Sequence, residues 1–588
     1  MNIEHIRHSL AHLLAAAVLK KYPKAKLGIG PTIENGFYYD FEVPHGFSPD
    51  DLKEFEAEMR HQIKEGLKME GEKITPAKAK IFFKNQPFKL ELIKDFIKEK
   101  KDLSIYSLIS SINSSLKTIN YFSDLCRGGH VDNTNEINPE AFKLTHTAGA
   151  YWKGDEKQPQ LQRIYGVAFS DKDELNNYLK MREEALKRDH KKLGPELDLF
   201  IFSPLVGPGL PLWTPRGTLM RDLLDSFVFE LRNERGYVRV DIPHITKKEL
   251  YEKSGHWDKF KDELFKVKSR EGHEFAMKPM NCPHHIQIYA RKQWSYRELP
   301  QRYASTTKVY RDEQSGEIGG LSRVRAITQD DAHVFCRKSQ ISEEMSKIWD
   351  MIEIFYKTFG FELSVRLSLR NPKEPKKYLG TPAHWDESEE TLRKLAKSRK
   401  VDAPEALGEA AFYGPKIDFI AKDSIGRKWQ VATIQLDMNQ PERFDLTCIS
   451  EDGKPERIVM IHAAIMGSIE RFMAVLIEHT AGIFPLWLAP VQAQVLAISD
   501  KQINYATKVL NELLSAGIRA ELTQSNITLG KRIREAQIQK IPYVLVVGDK
   551  EIQTNSVAVR NHKRGDEGTM PIKECIKKLQ EEIAKKEM

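Results

Sequence analysis

The sequence has no disulfide framework. Its five cysteines (Cys126, Cys282, Cys336, Cys448 and Cys575) are scattered over 588 residues, which excludes a stapled secreted scaffold and leaves each thiol as core filler or as chemistry. Long hydrophobic runs are also missing. The longest apolar stretch, Ile458 to Ile469, is 12 residues and contains His462, short of the ~20 needed to cross a bilayer. Leu10 to Leu19 could pass for a signal-peptide core, but Glu4, His5, His8 and His12 lie before or within it. Lys20 and Lys21 then stand where small cleavage-site residues belong. No internal repeat is evident, and neither sign of charge dominates: 91 Lys and Arg against 83 Asp and Glu leave +8. That mild excess suits a polyanionic partner without demanding one. These absences exclude fibrous, disordered and membrane-spanning classes and predict a cytoplasmic globular protein.

At roughly 100 to 200 residues per domain, the length predicts three to five domains. Residues 1–170 mix short strands (Gly36 to Phe41, Leu161 to Phe169) with amphipathic helices, an α+β signature. Within them, residues 101–120, rich in Ser, Asn and Ile, read as an insertion or long loop. Residues 171–193 are dense in charge with apolar residues at helical intervals, which suits an exposed connecting helix. Residues 194–488 form the largest unit, with long helices expected at 220–235 and 341–359. Residues 489–588 alternate strand and helix, which predicts a small α/β sheet. They carry 16 basic and 12 acidic residues, about half the excess charge of the chain, and are the first place to look for nucleic-acid binding. The expected fold class is thus multidomain α/β and α+β.

Four constellations could carry chemistry. His8-Ser-Leu-Ala-His12 sets two imidazoles one helical turn apart, a spacing fit for a metal or paired acid and base. The bland alternative is two partly exposed histidines. A zinc-protease motif is excluded because Ser9 stands where Glu is required. Asp124-Leu-Cys126-Arg127-Gly-Gly-His130 adds a thiol and an imidazole beside glycines that let backbone approach a ligand, against the alternative of a core cysteine. Cys282, His333 and His462 would suit zinc with an open fourth position, although their spacing makes no local motif. Arg311, Arg323, Arg325 and Arg471 could converge on a nucleotide triphosphate, or could be surface charge on strands. No Walker loop is present, so any ATP would not be held in a P-loop fold.

The segments Lys278 to Cys282, Arg311 to Glu313, Arg323 to Phe335, Ala411 to Asp418, Trp429 to Gln435 and His462 to Phe472 resemble the threonyl-tRNA synthetase family of class II aminoacyl-tRNA synthetases. Class I signatures are missing. The resemblance covers nearly the whole chain. It implies an N-terminal editing domain, a class II catalytic domain built on an antiparallel sheet, and an α/β anticodon-binding domain. Leu224 to Pro243 matches motif 1, which implies a homodimer. Arg311 and Arg471 would be catalytic, and with Glu313 and Arg323 would bind ATP together with Mg2+. Cys282, His333 and His462 would hold one Zn2+ per subunit. Gln329, Asp331, Tyr413, Lys416, Gln430, Gln435 and Ser468 would line the L-threonine and adenylate pocket. His8, His12, Lys89, Asp124, Cys126 and His130 would form the editing site, with metal participation there left open. Asn526, Glu551 and Arg560 would read the anticodon of tRNA(Thr).

The implied activity is ATP-dependent ligation of threonine to its tRNA, with hydrolysis of misattached serine. Reading threonine through a hydroxyl ligand rejects valine, but serine keeps that hydroxyl and lacks only a methyl, worth ~1 to 3 kcal/mol, too little for accuracy without a second site. The chain departs from the family pattern in several places. It begins almost at His8, without the usual small N-terminal domain. Ile327 stands where an aromatic stacks on adenine, Ala463 replaces an arginine, His284 a glycine and Gly129 a proline, while Ser525 and Ile527 flank Asn526. The competing readings are a catalytically inactive, synthetase-derived RNA-binding regulator, which Ile327 and Ala463 would favour, and a trans-editing hydrolase.

Overall fold

The structure, a computed structural model, describes residues 2–111, 118–155, 157–523 and 527–587. It divides into two compact units, Met1–Glu183 and Glu184–Met588. No helix among the described residues is long and apolar enough to cross a membrane.

In the first unit, the helix Ile3–Lys21 starts at Asn2, whose side chain accepts the Glu4 N–H. Leu10, Leu13, Leu14 and Val18 are fully covered and hold the helix against the sheet. That sheet is antiparallel, in the order Lys26–Leu27, Gly36–Glu42, Gln160–Ala168, Phe142–Tyr151. A second antiparallel sheet joins Lys68–Lys73, Ser104–Ser111 and Thr118–Leu125. This corrects the expected loop at 101–120, of which residues 112–117 lie outside the described residues. The serines and asparagines suggested an insertion or long loop, but Ile105 and Leu108 are buried strand residues. Their cross-strand pairing with 118–125 outweighs the polar composition. The charged segment that follows is helical over Lys172–Arg188, with Leu175 its one buried residue.

The second unit is built on an eight-stranded sheet. Its order is Val238–Arg239, Gln301–Tyr310, Ala326–Cys336, Val459–Ala464, Lys428–Asp437, Lys416–Lys422, Glu362–Leu369, Glu405–Leu407. The six inner strands are antiparallel, and the two edge strands run parallel to their neighbours. The helix Pro215–Asn233 begins where Thr214 accepts the Gly217 N–H and Pro215 presets the first turn. It buries Met220, Leu224, Phe227, Val228 and Leu231, an apolar stripe at helical spacing. Together with Ile341–Thr358 and Ile469–Thr480, it joins one hydrophobic cluster with Ala332, Val334, Ile434, Ile461 and Ala463 of the sheet. Each large apolar side chain so buried stabilises by ~1.5 to 3 kcal/mol. Successive strand residues alternate faces, so the opposite face is free for polar groups.

The last hundred residues form a five-stranded sheet ordered Ala520–Thr523, Ala493–Ala497, Tyr543–Val547, Ser556–Asn561, Gly565–Pro571. The first three strands are parallel and the last pairs antiparallel, which is the expected small α/β sheet. Gly565–Pro571 was not anticipated, because Gly565 and Gly568 adopt left-handed φ of 82° and 78° and read as turn residues.

Candidate active site

Alternation along Ala326–Cys336 sends Ala332, Val334 and Cys336 into the helix-covered core and turns Gln329, Asp331 and His333 to the other face. The next strand places His462 directly opposite His333, and the strand beyond places Gln435 opposite His462. Cys282 opens the helix Cys282–Tyr289 beside them. The donor atoms of Cys282, His333 and His462 lie within 4.8 Å of one another, and all three residues are buried.

The second nitrogen of each ring is engaged. His462 Nε2 is 2.9 Å from Asp437 Oδ2, and His333 Nδ1 is 2.8 Å from His285 Nδ1. His285 Nε2 meets Ser305 Oγ at 3.1 Å. His333 Nε2 and His462 Nδ1 are left facing each other at 3.0 Å. With His285 accepting from His333 and donating to Ser305, both facing nitrogens present lone pairs beside the Cys282 sulfur. That is a donor set for a borderline-soft cation such as zinc, with the outer hydrogen bonds that such histidines require. Burial holds His333 well below the usual imidazole range and pushes the Cys282 thiol well up.

Around this cluster, Tyr413 stacks on His462 with centroids 4.8 Å apart and donates to Gln435 Oε1 at 2.7 Å. Asn281 Nδ2 donates to Asp331 Oδ2 at 3.0 Å, and burial pushes the Asp331 carboxyl up to about 6. Lys416, opposite Gln435, is 3.1 Å from Asp418. Arg366 ties Asp418 to Gln430, donating to them at 3.1 and 3.2 Å.

A cleft of about 690 Å3 is lined by Arg311, Glu313, Arg323, Ile327, Gln329, Gln430, Ser468 and Arg471. Glu313 holds Arg323 Nε at 2.7 Å, and its carbonyl accepts from Arg325 Nη2 at 2.8 Å. Arg311 Nε is buried without a partner among the described residues. Ser468 caps the helix that carries Arg471, accepting its N–H at 3.2 Å.

The first unit gathers a second cluster. The donor atoms of His8, His12, Cys126 and His130 lie within 4.8 Å of one another. Cys126 Sγ is 3.4 Å from His8 Nε2 and 3.2 Å from His130 Nε2. Burial lowers all three imidazoles, with His130 also disfavoured by its neighbours His12 and His8, and pushes the Cys126 thiol up to about 11. Lys89 Nζ meets Asp124 Oδ1 at 2.6 Å with both side chains buried, and Tyr39 donates to the other carboxylate oxygen.

In the last domain, Arg560 is an exposed strand residue, while Glu551 accepts the Gly548 N–H at the start of its own short helix. Asn526 lies outside the described residues.

Sequence reasoning missed Asp437, His285, Asn281 and Tyr39. Asp437 could have been found, since it lies two residues from Gln435 and so on the same face. Two of the departures find a place. Ala463 belongs to the helix-covered core, on the face opposite His462, whereas Ile327 lines the cleft. His284 is buried against Tyr251 with neither ring nitrogen partnered among the described residues.

Three family models match the chain: the tRNA synthetase class II core domain (G, H, P, S and T) over residues 265–480, the anticodon binding domain over 492–582, and the threonyl and alanyl tRNA synthetase second additional domain over 109–165. Threonine–tRNA ligase of Gloeobacter violaceus is 48% identical over 99% of this chain and 93% of its own. That of Synechocystis sp. is 45% identical over 98% and 95%. Among solved structures, the RNA binding domain of threonyl-tRNA synthetase from Cryptosporidium parvum Iowa II is 38% identical with a TM-score of 0.64, over 67% of this chain and 98% of that one. Prolyl-tRNA synthetase of Giardia lamblia, 16% identical with a TM-score of 0.55 over 69% of this chain and 80% of its own, shares the fold alone. With a class II core, an anticodon-binding domain and the second additional domain in one chain, and with such identity over nearly its whole length, this protein belongs to the threonine–tRNA ligase family.

Proposed function

We propose that the chain joins L-threonine to tRNA(Thr) in two ATP-dependent steps and hydrolyses seryl-tRNA(Thr) at a separate site. The observation that carries the reading is the facing pair His333 and His462 beside Cys282, on the sheet face next to the arginine-lined cleft.

In the cleft, Arg311 and Arg471, with Arg323 and the Mg2+ that accompanies ATP, neutralise the triphosphate as the threonine carboxylate attacks the α-phosphorus and pyrophosphate leaves. The ribose hydroxyl of the tRNA terminal adenosine then attacks the adenylate carbonyl carbon, and AMP leaves. Cys282, His333 and His462 would hold zinc, which when bound supplies coordination positions for the threonine amino and hydroxyl groups. Tyr413 and Gln435, hydrogen-bonded to each other, form one wall of the pocket, and Asp331, fixed by Asn281, offers an acceptor. Gln329, Lys416, Gln430 and Ser468 complete the lining.

At the editing site, Cys126 stays protonated near neutral pH, so it is a hydrogen-bonding group rather than a nucleophile. The neutral imidazoles of His8, His12 and His130 accept hydrogen bonds and so can orient an attacking water. Lys89 and Asp124 buttress the pocket as a buried pair. Arg560 and Glu551, with Asn526, read anticodon bases splayed from the strand. Val238, in the segment that matches motif 1, is an exposed apolar residue, as are Ile201, Leu205 and Leu212, which precede that segment in sequence. Apolar residues left uncovered in this way support a homodimer. A cytoplasmic location fits this role.

Ala463 no longer favours the inactive alternative, since its side chain does not face the site. The test is amino-acid-dependent exchange of pyrophosphate into ATP with threonine, serine and valine. Strong exchange with threonine, less with serine and little with valine is expected. No exchange with any of the three, in folded metal-loaded protein, overturns the reading.

A further inference from the structure

Two arms of the arginine-lined cleft meet at a residue with no part in the chemistry above. His190, first residue of the short helix His190–Glu196, is 4% exposed. Its Nδ1 lies 2.6 Å from Glu478 Oε1, and its backbone N–H donates to the same oxygen at 3.2 Å. Its Nε2 accepts the Leu321 N–H at 3.0 Å. An amide N–H can only donate, so Nε2 carries no proton; Nδ1 therefore carries it and donates to Glu478. One neutral tautomer satisfies every partner.

Arg427 is the cation that Glu478 and Asp423 share. The second Glu478 oxygen meets Arg427 Nη1 at 2.6 Å, and Arg427 Nε meets Asp423 Oδ2 at 2.7 Å. Asp189, 3.7 Å from His190 Nδ1, caps the helix by accepting the Lys191 N–H.

Both ends of this bridge lead to the cleft. Glu478 lies on Ile469–Thr480, whose first turn carries Arg471. Leu321 lies in the turn that Gly319 closes by donating its N–H to the Arg323 carbonyl at 3.2 Å. Gly320 has φ 59°, and a Cβ there would stand 2.4 Å from His190 Nε2, so the turn rests directly on the imidazole.

We infer that His190 is a positioning residue for the nucleotide: it ties the turn at 319–323 to the helix Ile469–Thr480 and so fixes Arg323 and Arg471 across the cleft. It touches no substrate and acts through the Leu321 backbone. The inference rests on the reading of the cleft as the ATP site.

The experiment is pyrophosphate exchange by the full chain, comparing the wild type with His190→Leu and His190→Gln. Leucine makes neither side-chain bond. Glutamine can offer a carbonyl to Leu321 and an N–H to Glu478. An unmade buried hydrogen bond predicts a rise in KM for ATP of roughly 5- to 20-fold in His190→Leu. The KM for threonine should hardly move, and His190→Gln should recover most of the ATP affinity. An unchanged KM for ATP, with only kcat or Tm lowered, would mean a merely structural residue and overturn the inference. If His190→Leu does not fold, His190→Asn replaces it. Asparagine is too short for both contacts, so a KM for ATP above that of His190→Gln supports the inference and an equal one overturns it. No threonine-dependent exchange in the wild type would instead remove the ATP reading, and the inference with it.

Discussion

His333 and His462 are cross-strand partners on adjacent antiparallel strands, and their facing nitrogens are 3.0 Å apart. Register puts two imidazoles from sequence positions far apart into one donor set. Asp437, held by the backbone N–H groups of Asn439 and Gln440 at 2.8 and 2.9 Å, fixes the His462 ring from behind. The geometry is therefore set by the sheet rather than by any flexible loop.

His333→Ala removes one of the facing nitrogens, and bound metal and threonine-dependent exchange should disappear together. Asp437→Asn keeps all three donors and weakens only the outer hydrogen bond, so zinc affinity should fall by roughly 10- to 100-fold. Metal content by mass spectrometry under chelator titration measures both. A His333→Ala protein that keeps its zinc would remove the assignment.

The two sites are chemically separate, so Cys126→Ala should charge threonine at the wild-type rate while seryl-tRNA accumulates. Lys89→Ala is expected to act differently. It leaves Asp124 buried without its cation, a change worth ~3 to 5 kcal/mol, and should lower the unfolding midpoint of the first unit. Deacylation assays with seryl-tRNA and thermal unfolding separate the two. Slower threonine charging with intact serine clearance in Cys126→Ala would reverse the domain roles.

Much of this site was legible because strands alternate. Gln329, Asp331 and His333 share parity, and so must share a face. The same rule, applied to Ala463, would have placed it away from His462. Gln430 and Gln435 differ in parity, and regular alternation would set them on opposite faces. The structure brings them to the same one by a bulge, since Phe419 pairs with Ala432 but Ile420 with Gln430. A bulge depends on cross-strand register, which one strand's sequence does not contain. The strands at 104–111 and 118–125 were hidden for a related reason: their partners, not their serine-rich composition, make them strands.

Gly129 has φ 84° and Gly128 φ 93°, a region closed to proline, whose ring fixes φ near −65°. The family's proline at this position is therefore incompatible with the backbone found here. Gly129→Pro should displace His130 from Cys126 and slow seryl-tRNA hydrolysis, leaving pyrophosphate exchange unchanged. Wild-type hydrolysis by that variant would show that the turn can adopt a second backbone path.

Leu205 is 100% exposed, and Ile201, Leu212 and Val238 are about half exposed. A fully exposed leucine gains most from being covered by a second copy of the chain. Leu205→Asp would bury an unpaired charge in that interface and should weaken dimerisation by roughly 10-fold or more. Sedimentation equilibrium gives the constant directly. A monomeric wild type, or an unaffected variant, would remove this surface from the account.

Acid sensitivity follows from Glu478. Burial alone would raise its carboxyl, but the bonds from His190 and the charge of Arg427 outweigh it and hold the group below its ordinary value of 4.5. The folded state therefore binds this proton less readily than the unfolded chain. The stabilisation is fully present above that ordinary value and is lost as pH falls through the depressed folded value. Glu478→Gln has no such dependence. Its Tm should lie below that of the wild type at pH 7, and the difference should shrink as pH is lowered below 4.5. A gap that stayed constant over that range would mean that the carboxylate contributes no pH-linked stability, and that its charge is not what anchors His190.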